Sequence, residues 1–383
     1  MSSFKILNSV VKTPSMLAMP GHNLPILFND LIRFRSKGGI ASYAEGVASH
    51  LPVHLFSSTL LGKTLGIVSK QKDAIALTKS SGSHGKLKSV LEAYLTFCSF
   101  RLFHEPDLIV TQNKIPNVVT AHDLSVLLTP QYHPTYRVKK YEENLKQSVE
   151  NTLHFICNSK DTQRNLIQHL SIPESKTTII PMAVSPKFRK FSNEEYLKFK
   201  LHHALPDNYF LFIGTLEPRK NLAFLLKVYD LLDTQLKAAF PLILIGSWGW
   251  EHESIQKAFS NLSTPQYVKH FEGLTTDEVC GYLNGATALL FPSLAEGFGI
   301  PILEAFQCET PVICSNIDVF HEVAQEAAVY CHGELEWRHA LIEITKRKPK
   351  NLIERGNYVK RLYSWEKSAA LTIELYQKLL KSI

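Results

Sequence analysis

FPSLAEGFGIPILEAFQCETPVI, residues 291–313, decides how the chain is read. The run Ala288-Leu289-Leu290-Phe291 is wholly apolar and reads as a strand of a parallel sheet, buried on both faces. Pro292 and Ser293 end that strand. Gly297 and Gly299 permit a tight loop with torsions other residues resist. Pro301 suits the first turn of a helix, where its missing N–H removes no helical bond. Glu296 is thus expected in a loop beyond a strand's carboxyl end. Glu304 is expected in the first turn of the next helix, ionised and favoured by the helix dipole. In open α/β sheets, ligands bind at such strand ends. Spacing alone also fits a plain helix start, with Glu296 solvated in its loop.

Outward from this stretch, strands and helices alternate. Tyr209–Ile213 reads as a buried strand followed by GTLEPRKN, residues 214–221. Arg219 and Lys220 then stand before a helix opening at Asn221. Two cations beside helix N–H groups suit a diphosphate, although a solvated basic turn would look the same. Further strands are expected at Leu242–Ile245, near 267–271, at Val312–Ser315 and at Ala328–Cys331. Helices are expected at 221–233, 251–261 and 276–284, then at 334–346, 350–361 and 366–381. Such alternation means α/β architecture with a doubly wound parallel sheet.

The first half reads similarly. Ile26–Phe28 and Val53–Phe56 are strand candidates around SKGGIASYAEGVASHL, residues 36–51. There Gly38 and Gly39 open a helix with Ile40, Tyr43, Ala44, Val47 and Leu51 on one face. The glycine pair fits either a phosphate-approaching loop or a plain turn. Residues 69–88 read as a polar loop and Leu87–Phe103 as a helix. Leu108–Thr111, Val118–Ala121, Leu153–Cys157 and Thr177–Pro181 read as strands. His122-Asp123 follows the second of these; Asp123 could simply cap a helix beside a packed His122. Tyr136–Asn151 reads as a solvated basic helix, and 160–170 as another helix. Pro181 and Pro186 bracket a stiff connector that separates two domains.

Composition narrows the class. A chain of 383 residues fits two domains, and 45% apolar with 20% charged residues is ordinary for a soluble globular protein. No run is long enough to span a bilayer, and residues 1–23 lack the pattern of a secretory signal. Cys98, Cys157, Cys280, Cys308, Cys314 and Cys331 form no CxxC pair, which suits a reducing cytoplasmic setting. The net charge of +7 favours anionic partners. Nucleic acid ranks last among them, because no base-stacking aromatic series accompanies the basic residues.

The stretch 291–313 resembles the signature of retaining glycosyltransferases of family four. Pro292-Ser293, Glu296, Gly297-Phe298-Gly299, Pro301, Glu304 and Thr310-Pro311-Val312 all fall in place, and the likeness runs over roughly residues 36–380. It implies the GT-B fold, two Rossmann-like doubly wound domains facing across a cleft. Residues 1–186 would form the acceptor-side domain, with 1–23 an extension; 187–363 would bind the nucleotide sugar; 364–383 would be a helix packing back on the first domain.

The resemblance also implies roles. Glu296 and His122 would act at the donor sugar, Arg219 and Lys220 at the diphosphate, and Glu304 at the ribose hydroxyls. Gly38, Gly39, Gly214, Gly297, Phe298, Gly299 and Ile300 would line the nucleotide sugar. The expected activity is transfer of a hexose, mannose foremost, to a glycan or lipid-linked acceptor. The likeness is strongest to bacterial mannosyltransferases of lipopolysaccharide and other surface-polysaccharide synthesis. The donor would be a nucleotide sugar such as GDP-mannose, with no further cofactor. The chain has no Asp-x-Asp, so metal independence is expected, with configuration retained by same-face attack. A peripheral contact with the anionic inner face of the membrane is a further expected partner. Ala183, Glu309 and Gln325 stand where the family commonly has Gly, so altered loops are expected if those sites need positive φ. The alternative is a non-catalytic subunit of the same fold that binds a nucleotide or a partner enzyme.

Overall fold

The structure, a computed structural model, describes residues 24–29, 39–56, 100–112, 114–347 and 349–383. Gly38, the extension 1–23, the polar loop 69–88 and most of the helix expected over 87–103 lie outside the described residues.

Two six-stranded sheets carry the fold, and every strand pair in them is parallel. The first comprises β1 (Ile26–Asn29), β2 (His54–Phe56), β3 (Leu102–Glu105), β4 (Asn117–Ala121), β5 (Thr152–Cys157) and β6 (Thr177–Ile179), in the order β2-β1-β3-β4-β5-β6. The second comprises β7 (Phe210–Ile213), β8 (Leu242–Ile245), β9 (Val268–Phe271), β10 (Ala288–Phe291), β11 (Val312–Ser315) and β12 (Ala328–Cys331), in the order β12-β11-β10-β7-β8-β9. Helices cover both faces, so central strands such as β8 and β10 are buried at every position. Their apolar runs are continuous for that reason. No helix among the described residues is long and apolar enough to cross a membrane.

Four local expectations change. Leu102 and Phe103 belong to β3, between β1 and β4, instead of ending a helix. Leu108–Thr111 forms no strand: Asp107 takes the N–H of Leu108 at 2.7 Å, and Ser148 Oγ takes that of Val110 at 3.0 Å. The helix expected over 221–233 is Leu222–Asp230, followed by a separate short helix Thr234–Ala239. A helix at Asn193–His202 has no buried residue and so no apolar stripe to reveal it. Its signal was the capping box, with Ser192 Oγ on the N–H of Glu195 and the Glu195 carboxylate on the N–H of Ser192.

The three positions that replace family glycines behave differently. Glu309 has φ 58° and Gln325 φ 49°, so each holds a left-handed backbone against its Cβ. Ala183 is absent from the positive-φ residues and is a buried core residue.

The last helix, Trp365–Ser382, lies on the first sheet's domain. Its buried residues Trp365, Ser368, Ala369, Thr372, Leu375, Tyr376 and Leu379 recur at helical spacing and form one stripe. Trp365 presses on Gly46, where an added Cβ would meet the indole at 2.1 Å. Ser368 Oγ donates to the carbonyl of Pro181 at 2.6 Å. Tyr376 bonds Nδ1 of the fully buried His104, whose Nε2 meets Thr120 Oγ1 at 2.7 Å; Thr120 in turn meets the Tyr43 hydroxyl at 2.8 Å. Burying one large apolar side chain contributes roughly 1.5–3 kcal/mol, so this stripe is a major tie between the chain's end and its beginning.

Candidate active site

Sheet order dictates where ligands can enter. In the second sheet β7 and β10 are neighbours, and the chain leaves them in opposite directions, to β8 and β9 or to β11 and β12. The loops after β7 and β10 therefore flank the crevice at a topological switch point. The first carries Arg219 and Lys220, the second Glu296.

Close packing shapes the first loop. Gly214 donates its N–H to the carbonyl of Ile245 at 3.0 Å. Its own carbonyl lies 1.9 Å from where a Cβ on Gly246 would stand, so the turns after β7 and β8 touch backbone to backbone. Pro218–Lys220 forms a 3-10 turn, and Asn221 then turns left-handed at φ 55° before the helix Leu222–Asp230 begins. The two cations thus stand just ahead of the helix, as the sequence suggests, on a 3-10 turn of their own.

Arg219, Lys220 and Glu296 meet in one buried ion-pair network. Arg219 Nη1 donates to Glu296 Oε2 at 2.9 Å and to the carbonyl of Ala295 at 2.6 Å. Its Nη2 donates to Glu217 Oε1 at 2.9 Å, and Lys220 Nζ donates to Glu296 Oε1 at 2.5 Å. Burial disfavours the charge on Glu296, but Lys220 and Arg219 overcome it and hold the carboxyl below its usual range. Burial likewise opposes the charge on Arg219; Glu296, Asp123 and Glu217 outweigh it and raise its pKa. Arg219 Nε is buried with no partner among the described residues. Sequence reasoning missed Glu217 and Asp123 as partners, since one precedes a proline turn and the other comes from the opposite domain.

His122 and Asp123 follow β4, opposite this network. Asn158 Nδ2 donates to His122 Nδ1 at 3.0 Å, so Nε2 carries the proton and donates to the carbonyl of Pro106, also at 3.0 Å. Burial pushes His122 down to about 4, against the pull of the Pro106 carbonyl and Asp123. The imidazole is therefore neutral, with both nitrogens engaged. Asp123 Oδ1 accepts the N–H of Ser125 at 2.8 Å, as a capping residue would. Burial works against its charge, yet Arg219 holds its carboxyl below the ordinary value.

The glutamate loop meets this turn directly. A Cβ on Gly297 would fall 1.7 Å from the carbonyl oxygen of His122, so only glycine fits the seam. Ser159 Oγ donates across the seam to the carbonyl of Gly297 at 2.8 Å. Phe298 is buried edge-on against Tyr363 and leaves only its backbone for a ligand. Gly299, at φ 104°, caps the helix Ile300–Gln307 that starts with Ile300.

Glu304 departs from expectation. It is the fifth residue of that helix, past the first turn, where the dipole's influence fades. Among the described residues its carboxyl accepts no hydrogen bond. Burial, helped by Cys280, pushes its pKa up to about 8, which favours the protonated carboxyl at neutral pH. Gly39 opens the helix Gly39–His50, and among the described residues nothing lies within 4 Å of an added Cβ.

The first domain contributes further polar groups at its own strand ends. Buried Glu105 accepts from Asn29 Nδ2 at 2.9 Å and from Thr111 Oγ1 at 2.6 Å. Burial raises Asp107 to about 6, against its bond from Leu108. His133 Nε2 meets Ser125 Oγ at 3.1 Å, while its Nδ1 is buried with no partner among the described residues. Trp250, from the loop after β8, donates Nε1–H to the carbonyl of Tyr132 at 2.7 Å, and Arg137 lies 4.5 Å over its ring.

Comparison with known proteins bears on the family and the fold. Residues 193–356 match the family model "Glycosyl transferases group 1", and residues 84–188 match "Glycosyltransferase Family 4". The chain is 30% identical to the O-antigen chain mannosyltransferase B of Escherichia coli over 284 residues, 73% of this chain and 74% of that protein. It is 27% identical to the O-antigen chain mannosyltransferase RfbU of Salmonella typhimurium, covering 66% of this chain and 68% of the relative. The alignment with the E. coli serotype-specific mannosyltransferase WbdA, at 28% identity, spans 69% of this chain but 34% of that longer protein. In fold it is similar to the sucrose-phosphate synthase of Thermosynechococcus elongatus (TM-score 0.71, 18% identity, 94% of this chain and all of that one). It is also similar to WaaG, a glycosyltransferase involved in lipopolysaccharide biosynthesis (TM-score 0.66, 13% identity, 92% and 99%). The switch-point loops, the two parallel sheets and these relatives lead to one conclusion: the chain belongs to the family-four glycosyltransferases of GT-B fold.

Proposed function

We propose that this protein transfers mannose from a nucleotide sugar, GDP-mannose first, to a glycan or lipid-linked acceptor of a surface polysaccharide. The observation that carries the proposal is the Arg219–Lys220–Glu296 network at the switch point of the second sheet. The names of the O-antigen mannosyltransferases support the sugar and the acceptor class.

The Glu296 carboxylate supplies the anionic oxygens that Arg219 and Lys220 face. A donor diphosphate would take over those cations and release Glu296 towards the sugar. Breaking the bond from anomeric carbon to phosphate builds positive charge on the ring, as in glycoside hydrolysis, and negative charge on the diphosphate. Cations already in place stabilise the leaving group where its charge forms. Arg219 and Lys220 can do so without a divalent metal. Glu304 would meet the ribose hydroxyls, as donor or acceptor according to its protonation. We read the stereochemistry as retention, with the departing phosphate accepting the proton of the attacking hydroxyl. His122, neutral and engaged through both nitrogens, would serve the sugar by positioning the turn that packs on Gly297. Domain limits of 1–186, 187–363 and 364–383 suit this division of labour.

The cysteines of the described residues, all buried thiols, suit a reducing cytoplasmic compartment. Lys139, Lys140 and Lys146 on the helix Thr135–Glu150 are exposed and would face an anionic membrane, though Glu142, Glu143 and Glu150 on the same exposed surface weaken the attraction. Incubating the protein with GDP-mannose and an alkyl α-mannoside, then reading the product's anomeric proton by NMR, tests the proposal. Transfer with an α-configured product is expected; inversion, or no transfer from any nucleotide hexose, would overturn it.

A further inference from the structure

Two consecutive residues of the first domain each grip a different segment of the second. Ser159 caps the helix Lys160–Leu170, taking the N–H of Thr162 at 3.1 Å, and its hydroxyl donates to the carbonyl of Gly297 at 2.8 Å. The next N–H, that of Lys160, goes to the carboxylate of Glu322, with both oxygens at 2.9 Å. Glu322 stands on the helix Asp318–Ala324 of the second domain, 162 residues further along the chain. A helix leaves its first N–H groups without intrahelical partners, and its dipole favours an anion there. A glutamate of the opposite domain meets both needs. Arg164, one turn further along the first helix, pairs with Asp318 at 2.9 Å, but that pair is exposed and contributes little.

The helix that carries Glu322 is itself held in place. His321 stacks on Tyr330 with ring centroids 3.8 Å apart and donates Nε2–H to Asn316 Oδ1 at 2.6 Å. The carbonyl of Glu322 accepts the Tyr363 hydroxyl at 3.3 Å, and the Tyr363 ring lies edge-on to Phe298. Glu322 therefore reaches the glutamate loop by two routes, through Lys160 and Ser159 to Gly297 and through Tyr363 to Phe298. Glu296 precedes Gly297, and its carboxylate holds Arg219 and Lys220. We propose that Glu322 is a positioning residue of the transfer reaction, clasping the two domains so that Glu296 stays seated against the His122 turn. If the clasp parts at Lys160, Ser159 moves away from Gly297, and a misplacement of about 1 Å costs on the order of 100-fold in rate. The donor's cations belong to the second domain alone, so a loosened clasp acts on turnover more than on donor binding. The proposal rests on the glycosyltransferase reading given above and adds a residue to it.

Lys160→Pro tests the clasp from its other side. Lys160 is the first residue of its helix, where proline is tolerated, and Ser159 before it is already extended, at φ −143° and ψ 161°. The variant deletes the N–H that Glu322 binds and keeps the carboxylate; Lys160→Ala, which keeps the N–H, is its reference. With GDP-mannose as donor and octyl α-mannoside as acceptor probe, kcat should fall about tenfold or more in Glu322→Ala and in Lys160→Pro, the loss of a charged hydrogen bond. The two losses should not add in the double variant, because the same bond is removed twice. The Kd for GDP-mannose by calorimetry should stay within about threefold of wild type. Glu322→Gln keeps an oxygen for the N–H and should recover most of kcat; with Lys160→Pro it decides the matter should Glu322→Ala fold poorly. A folded Glu322→Ala or Lys160→Pro protein with kcat within about threefold of its reference overturns the role. Losses that add, or a fall in donor affinity as large as the fall in kcat, overturn it too. Wild-type protein that transfers nothing from any nucleotide hexose refutes the functional reading itself, and this role with it; transfer that the variants leave unmoved refutes the role alone.

Discussion

Replacing Gly297 by alanine should disable the enzyme without unfolding it. The added Cβ would lie 1.7 Å from the carbonyl oxygen of His122, 2.7 Å from its carbonyl carbon and 2.9 Å from Cβ of Asp123. Contacts under 3.0 Å are essentially never seen for a Cβ, and the nearest obstacle is backbone, which cannot rotate aside. The glutamate loop and the His122 turn must then separate by more than about 1 Å, a misplacement that costs on the order of 100-fold in rate. The same movement stretches the bond from Ser159 Oγ to the carbonyl of Gly297, now 2.8 Å. It also shifts Glu296, the preceding residue, against Arg219 and Lys220. Because two domains can part along their seam, the stability cost should stay within the roughly 1–3 kcal/mol typical of overpacking. Steady-state kcat for transfer, alongside a thermal melt, is the assay. A folded Gly297→Ala protein with kcat within about threefold of wild type would show that the seam does not position the chemistry. Ser159→Ala is the milder companion, losing the bond across the seam and the cap on the N–H of Thr162 without the clash.

Arg219→Ala should lower kcat roughly 100- to 1000-fold, more than it raises the donor KM, because its attraction grows as the leaving diphosphate gains charge. Arg219→Lys should restore only part, a point charge replacing a planar fork; a near-normal kcat in the alanine variant would remove Arg219 from the site. Glu304 bears on stability against pH. Its folded pKa of about 8 exceeds the ordinary 4.5, so between those values the folded state keeps a proton the unfolded chain has released. Stability falls as pH rises through that window and levels off above it. Glu304→Gln removes this loss, so its melting temperature should gain on wild type from about pH 5 to about pH 8; a pH-independent difference would contradict the raised pKa. Transfer should continue in EDTA, with cationic side chains facing the phosphates; complete loss restored by magnesium or manganese would refute metal independence.

Much of the fold was legible because parallel strands buried on both faces must be apolar without interruption. Leu242–Ile245 and Ala288–Phe291 could be read directly for that reason. Arg219, Lys220 and Glu296 were legible as loop residues after such strands. Their mutual pairing was not, since it depends on β7 lying beside β10, a contact across 76 or 77 residues of chain. Glu217, Asp123 and the His133–Trp250 contact depend likewise on distant strands and a second domain. Leu102–Phe103 was misread because a short buried strand and a helix's apolar face share composition. Glu304 was placed within one turn of its true position, yet that turn, with burial, decides its charge. Glu309 and Gln325 stood where glycine was expected and do take positive φ, whereas Ala183 does not, a difference only backbone torsions disclose.

The bond between His104 and Tyr376 sets a timetable for synthesis. The first sheet's last strand ends at Ile179, but the partner of a fully buried histidine arrives with residue 376. At about 5–20 residues per second, the ribosome needs roughly 10–40 seconds to supply it. Throughout that interval the nascent first domain lacks one wall, and the face that receives Trp365 and Leu375 stands open to solvent or to a chaperone. The second domain, whose sheet closes at Cys331, can fold meanwhile on its own strands. Completion of the first domain therefore comes last, although it is made first, and a chain cut before Trp365 would leave the ribosome with a finished second half and an unfinished beginning.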